Sequence, residues 1–454
     1  MTSANKMAAA PMGRLLCGMS VPPLLSMGLQ YSYNLVDSAF VAQLGENALA
    51  AVSLSFPITT LMNAASIWIG VGVNVVIAGY LGRREPERAD AAVTHGLILA
   101  LLVGALLNAL SLWIMEPYFR AFTGNADICA LGVAYMGICS FMQIPNMVHI
   151  AIQKMIQATG NMVGPMWFQL AGVAVNFVLN PLLIFGLCGF PAMGICGSAV
   201  ATVTGYAVST VFALTMLLGT RQDVRVKVRG FRVEPQMIRR IFALGLPSFL
   251  MNALSSFMVT LTNGFLVSYS DTAVAFFGAY FKVQQLIVMT VNGLIQGVLP
   301  VMSFNHGAGD RARLRSAFCW GTALVTAMMA LGTAAVELFP AEILRAFDAS
   351  DAMLAFGVPA MRIMAASYLF CGFSTMIATY FQAVGRVGAS MGIQLCRQLL
   401  FLAPVMWGLE RWLHLDGVWL AFPAAEAAAL AAALALMARR HENVPACTGR
   451  KEER

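Results

Sequence analysis

The sequence predicts an all-α integral membrane protein, with twelve transmembrane helices in two pseudo-symmetric six-helix lobes built as parallel repeats. Three observations carry that prediction: the composition, the spacing of apolar runs and an internal duplication. Of 454 residues, 59% are hydrophobic and only 11% charged, against roughly 25% charged in soluble globular domains. A soluble chain has no way to hide that much apolar surface.

A helix crossing the hydrocarbon core needs roughly 20 mostly apolar residues. Runs of that kind lie at residues 15–41, 48–80, 92–114, 128–150, 163–187, 194–218, 241–267, 273–302, 317–338, 353–379, 390–409 and 418–437. Short polar turns separate them, leaving no room for a soluble nucleotide-binding or periplasmic domain. The opening MTSANKMAAAPMGR lacks the apolar core and small-residue cleavage site of a signal peptide, so the first run is expected to stay as a helix. The chain divides into a first lobe at 1–220, a basic linker at 221–240, a second lobe at 241–440 and a tail at 441–454.

Formal charge is +7, so the placement of the basic residues decides what it means. With the N-terminus inside, 22 of the 28 Lys and Arg fall on one side, among them Arg83, Arg84, Arg88, Lys154, seven from 221 to 240, Arg311, Arg313, Arg315 and Arg386. Arg120, Arg345 and Arg411 fall on the other. That asymmetry is the positive-inside signal, which places both termini in the cytoplasm. The linker RQDVRVKVRGFRVEPQMIRR lacks the aromatic interleaving of a nucleic-acid site, so a lipid bilayer and no nucleic acid is the expected partner.

Setting each residue against the one 225 positions later, without gaps, aligns the two halves. Pro22 meets Pro247, Gly72 meets Gly297, Gly82 meets Gly307, Arg88 meets Arg313, Gly132 meets Gly357, and QATG from Gln157 meets QAVG from Gln382. Six helices per copy is an even number, so both copies enter from the same side, with a substrate path expected between them. The polar intramembrane residues do not repeat: Asp37 is matched by Thr262, Asn176 by Phe401 and Asn180 by Val405.

Asp37 lies in YNLVDSAFV, near the outward end of the first run. A mid-helix carboxylate costs about 2.5 to 3.5 kcal/mol on insertion scales, so it needs a partner, a cavity or an escape to the interface. Asn34 at i−3 and Tyr33 at i−4 share its face, while Asn176 and Asn180 sit at i and i+4 on the fifth run, before Pro181. A carboxylate in an apolar cavity can carry a proton, and carboxylate and amide oxygens can hold Na⁺. The residues leave both ions open at Asp37, Asn176 and Asn180, against the plainer reading of interfacial contact and helix packing. Tyr33, together with Lys282 and Gln284 in GAYFKVQQL, Arg397 in LCRQLL and Glu426 in PAAEAA, are candidates for a substrate cavity, with interfacial anchoring or pairing the competing roles.

Nine cysteines show no C-x-x-C pair and read as small hydrophobic residues, although Cys188 and Cys196 flank one loop at a spacing that allows pairing. His95, His149, His306, His414 and His441 are scattered without ligand spacing. No H-E-x-x-H, G-x-S-x-G or phosphate loop is present, so an intramembrane enzyme is not expected.

YNLVDSAFVAQLGENALAAVSLSFP, the QATG and QAVG pair, GAYFKVQQL and GVLPVMSFNHGAGDRARLRSA resemble the multidrug and toxic compound extrusion (MATE) family over nearly the whole chain. Within it the chain is most similar to the bacterial branch named after DNA-damage-inducible protein F. The resemblance implies an antiporter without a cofactor, working as a monomer in the bacterial inner membrane. Its expected substrates are small amphipathic, often cationic, drugs, dyes or metabolites. It implies that Asp37 is the coupling carboxylate, supported by Asn34, Asn176, Asn180 and, in an Ala-Thr pair, Thr202. Asn180 stands where aspartate is common in the branch, which favours H⁺ over Na⁺ as coupling ion. A flippase of lipid-linked saccharides is the rival reading, and would show a charged portal or cavity.

Overall fold

Helices form along the predicted apolar runs, and polar caps set where several of them start. The structure is a computed structural model that describes residues 7–219, 223–227, 231–347 and 349–439, so the expected tail at 441–454, with His441, lies outside the described residues. The first lobe contains α1 (Met12–Ala42), α2 (Glu46–Gly82), α3 (Pro86–Phe122), α4 (Ala126–Phe141), α5 (Gln143–Ala158), α6 (Val163–Phe185) and α7 (Ile195–Leu218). The second contains α8 (Pro235–Leu266), α9 (Asp271–Gly307), α10 (Arg311–Leu338), the short α11 (Pro340–Arg345), α12 (Asp351–Ala365), α13 (Ser367–Ala383), α14 (Val387–Leu395) and α15 (Leu402–Arg439). Asn125 caps α4 by accepting from the amides of Asp127 and Ile128, and Ser350, 225 residues on, caps α12 by accepting from Met353.

Several expected spans differ in form from single straight helices. The fourth is the pair α4 and α5, bent by 43°. The last two runs form one helical stretch that breaks at His414, where φ is +52°. Arg397 and Glu426, 29 residues apart, meet at 3.0 Å across that break, whereas a straight helix would hold them about 44 Å apart. The chain therefore doubles back at His414. Nine described helices are long and apolar enough to cross a membrane, ten with the bent pair. Counting α1 and dividing the last stretch at its turn gives twelve crossings among the described residues.

The two lobes meet along α1 and α2 on one side and α8 and α9 on the other, on the half of the molecule that carries the N-terminus and the turns at 83–85 and 308–310. Helices approach there until backbone touches backbone. A Cβ on Gly72 would strike the Ile241 carbonyl and come within 3.2 Å of the Gly245 nitrogen; one on Gly297, the repeat partner of Gly72, would strike Ser20, the repeat partner of Gly245. Gly82 packs on the Phe304 carbonyl while Gly307 packs on that of Gly79, again an exchanged pair under the same offset. Small residues let membrane helices come this close. The exchanged contacts are what an axis along the membrane normal produces.

Away from that seam the lobes part. Tyr31 donates to the Lys282 carbonyl at 3.2 Å, at the depth of a cavity of about 370 Å³ that reaches from there toward the seam, lined by Phe56 and Thr60 of α2 and by Ser255 and Thr260 of α8. The lobes are thus packed backbone to backbone on the terminus-bearing half and leave a cavity above that seam.

Candidate functional site

Each lobe carries a polar centre with a carboxylate inside its helices. In the first, Asp37 on α1 accepts hydrogen bonds at Oδ1 from Asn180 Nδ2 of α6 and, at 2.9 Å, from Ser198 Oγ of α7. One turn along each of those helices, Asn176 Nδ2 donates to Thr202 Oγ1 at 3.1 Å. The spacing i and i+4 on both α6 and α7 stacks the two pairs on facing stripes. The helices can face so closely because Gly172 and Gly205 leave no side chain between them. The Oδ1 atoms of Asn176 and Asn180 are buried without a partner. Among the described residues the centre therefore holds one carboxylate, no basic group among its contacts, and two free amide oxygens, a donor set that fits a proton or Na⁺.

Below it a polar pocket of about 50 Å³ continues between α1, α5, α6 and α7, lined by Gln30, His149, Gln169, Asn176, Thr202 and Tyr206. Gln169 Nε2 donates to Gln30 Oε1 at 2.9 Å. His149 is buried against Phe168 and Tyr206 with neither ring nitrogen bonded.

In the second lobe Arg397 and Glu426 form a forked ion pair, Nε to Oε2 at 3.0 Å and Nη2 to Oε1 at 3.1 Å, on the wall of the large cavity. Arg397 also donates to Thr375 Oγ1 at 2.6 Å and to Cys371 Sγ at 2.7 Å. A π-helical turn at Cys396–Leu400 presents Arg397 and Gln398 together, a form often found where a helix serves a site. Asn252, Gln284, Gln285, Asn292 and Gln398 add amides to the same wall.

Of the residues singled out from sequence, Asp37, Asn176, Asn180 and Thr202 come together, and Gln284, Arg397 and Glu426 line the large cavity. The side chains of Tyr33 and Asn34 lie outside those described. Lys282 does not join the cavity: its ammonium sits 5.7 Å from the centroid of the Phe347 ring, because the long stem can reach that face from near the helix start. Cys188 and Cys196 are both free thiols. Lys154, assigned by charge pattern to a turn, is instead buried between the lobes.

Sequence reasoning missed Ser198, Gln30, Gln169 and Gln296. Gln30 was legible as i−7 from Asp37, and Ser198 as i−4 from Thr202, but a serine in a membrane helix carries little signal by itself.

A MatE family model matches residues 22–182 and again 247–407. The chain is 25% identical over 408 residues to the FAD transporter of Shewanella oneidensis, covering 89% of this chain and 90% of that one. It is 22% identical over 428 residues to the multidrug export protein MepA of Staphylococcus aureus, covering 94% and 93%. Among solved structures, an outward-facing multidrug resistance MATE family transporter of the MOP superfamily superposes with a TM-score of 0.90 at 22% identity over 97% of this chain and 98% of that one.

Proposed function

The chain belongs to the MatE family and is a multi-pass membrane transporter rather than an enzyme, and from that premise we propose that it is an antiporter in which Asp37 couples cation entry to export of organic compounds. The observation that carries this reading is that, among the described residues, the Asp37 carboxylate is held by the neutral donors Asn180 and Ser198. A carboxylate inside the membrane without a basic partner is a charge that an arriving cation can neutralise. A proton does so without a coordination shell, and Asn180 supplies no second negative charge, so we favour H⁺. Na⁺ would draw on the free oxygens of Asn176 and Asn180.

The coupling route is α1 itself. It holds Asp37 against α6 and α7, and it also packs on α9 of the other lobe, where Gly297 meets Ser20 and Tyr31 bonds the Lys282 carbonyl. Neutralising Asp37 weakens the charge-assisted bonds from Asn180 and Ser198, which changes the hold of α1 on its own lobe and hence the balance between the two openings. Coupling requires only that ion and cargo favour different states.

The large cavity gives the cargo both apolar wall and amides. Among the described lining residues the acid is Glu426, and it is held by Arg397, so the expected preference for cationic compounds loses its electrostatic basis. We place the protein, as a monomer, in the bacterial inner membrane with both termini in the cytoplasm, on the basic-residue asymmetry.

Transport of a fluorescent compound into or out of vesicles, driven by an imposed ΔpH or Na⁺ gradient, tests the reading. Asp37→Asn abolishes gradient-driven transport, and Asn180→Asp increases dependence on Na⁺. Unchanged gradient-driven transport in Asp37→Asn contradicts the role of Asp37.

A further inference from the structure

Among the described residues, Lys154 is a buried basic side chain at the lobe seam that takes no part in the Asp37 or Arg397 centres. It lies near the terminus-side end of α5, and its ammonium donates to Gln157 Oε1 at 3.1 Å and, across the seam, to Gln296 Oε1 of α9 at 2.7 Å. Gln157 Nε2 donates to the same Gln296 oxygen at 3.2 Å. No carboxylate among the described residues pairs with Lys154, which is 7% exposed. Gln296 lies one helical turn below Asn292, which lines the large cavity, so the ammonium sits just beneath the cavity floor.

Closing the seam does not require a charge there. An apolar side chain of similar length would seal it without desolvating a cation. Nor does the shared fold require one: the repeat partner is Thr379, whose hydroxyl returns to the Thr375 carbonyl of its own helix at 2.8 Å. The positive-inside tendency accounts for lysines in turns and not for one buried between two lobes. The terminus-side entrance to the same seam is basic as well, with the guanidinium groups of Arg83, Arg88 and Arg240 at 5.9, 5.9 and 5.4 Å from the Tyr80 ring centroid, all three exposed. Arg240 comes from the second lobe and the other two from the first. Opening this face would therefore lead from a basic rim to an unpaired ammonium.

We propose that Lys154 is an anion-binding residue of the transport path, latched to Gln157 and Gln296 while the terminus-side face is closed, and holding a phosphate or carboxylate group when the lobes part there. The proposal deepens the transporter reading, on whose alternating opening it rests, and assigns cargo bearing an anionic group beside an apolar, hydrogen-bonding body. The same ammonium chemistry would also take free inorganic phosphate.

Riboflavin and its 5′-phosphate are a suitable probe pair, since both fluoresce and they differ only in the charged group. Equilibrium binding to the full-length protein in nanodiscs is expected to favour the phosphate by about tenfold, the worth of a charge-assisted hydrogen bond. Lys154→Gln should bind riboflavin as the native chain does and lose the preference, while Lys154→Arg retains it. Gln296→Ala, which frees the ammonium and keeps its charge, should retain or raise it. If millimolar inorganic phosphate competes with the phosphorylated probe and leaves riboflavin bound, the free ion reaches the same site; if it does not compete, the anion is held as part of the organic cargo. Equal preference in the native chain and Lys154→Gln, or its loss in Gln296→Ala, would overturn the proposal. Binding is read without any gradient, so this outcome is separate from failure of the Asp37 coupling role.

Discussion

The two lobes share a backbone plan and invert its chemistry. Under the 225-residue offset, Asp37, Asn176 and Asn180 of the first lobe face Thr262, Phe401 and Val405 in the second, while Arg397 and Glu426 of the second face Gly172 and Ala201 in the first. Thr262 is satisfied by its own helix, donating to the Met258 carbonyl at 2.9 Å. Each lobe thus carries an acid, partly exposed, at a place the other lobe has emptied. The acids differ in what holds them: Asp37 has neutral donors, and Glu426 has a guanidinium that uses two of its nitrogens on it. A carboxylate already neutralised by Arg has little to gain from a proton or Na⁺. On that difference rests the proposed division of labour: ion coupling in the first lobe, and in the second a fixed pair on the cavity wall.

Asp37→Asn breaks that contrast most severely, because it removes the acid while keeping its hydrogen-bonding shape. Gradient-driven transport should fall to background, with binding of the fluorescent cargo retained. Arg397→Gln comes next. It leaves Glu426 mostly buried and unpaired, which should lower stability by about 3 to 5 kcal/mol in a denaturation assay, whereas replacing both partners with methionine should recover most of it. A single-variant loss below about 1 kcal/mol would mean that the pair is not a structural unit. Ser198→Ala is the smallest perturbation, deleting one of two donors to Asp37. The proton concentration for half-maximal transport should change by about fivefold, the equivalent of one hydrogen bond near 1 kcal/mol.

The membrane fold was legible because apolar run length is a direct physical requirement of the bilayer, and the duplication because glycines at a backbone contact tolerate nothing else. Gly72 with Gly297 and Gly82 with Gly307 stood out in the repeat, and they proved to be the seam. What they touch was not legible, since Ile241 and Phe304 present carbonyls, which carry no residue signature. Asn176 and Asn180 could be placed on one stripe by their spacing, but that α7 supplies Ser198 opposite them depends on the depth at which two helices pack. Lys154 was misplaced for a related reason. Its neighbours read as the end of a span, and only the packing of α9 shows that its side chain is enclosed. Lys282 went the other way, its stem being long enough to leave the cavity from a helix that lines it.

Proton exchange on cargo binding tests the central contrast most directly, because it needs neither a gradient nor knowledge of the transport direction. Purified protein in weakly buffered solution with a pH indicator should release protons when the fluorescent cargo binds. That release should persist when Arg397 and Glu426 are both replaced by methionine and should vanish in Asp37→Asn. Release that survives in Asp37→Asn, or that is lost with the Arg397 and Glu426 pair, would contradict the assignment of coupling to the first lobe.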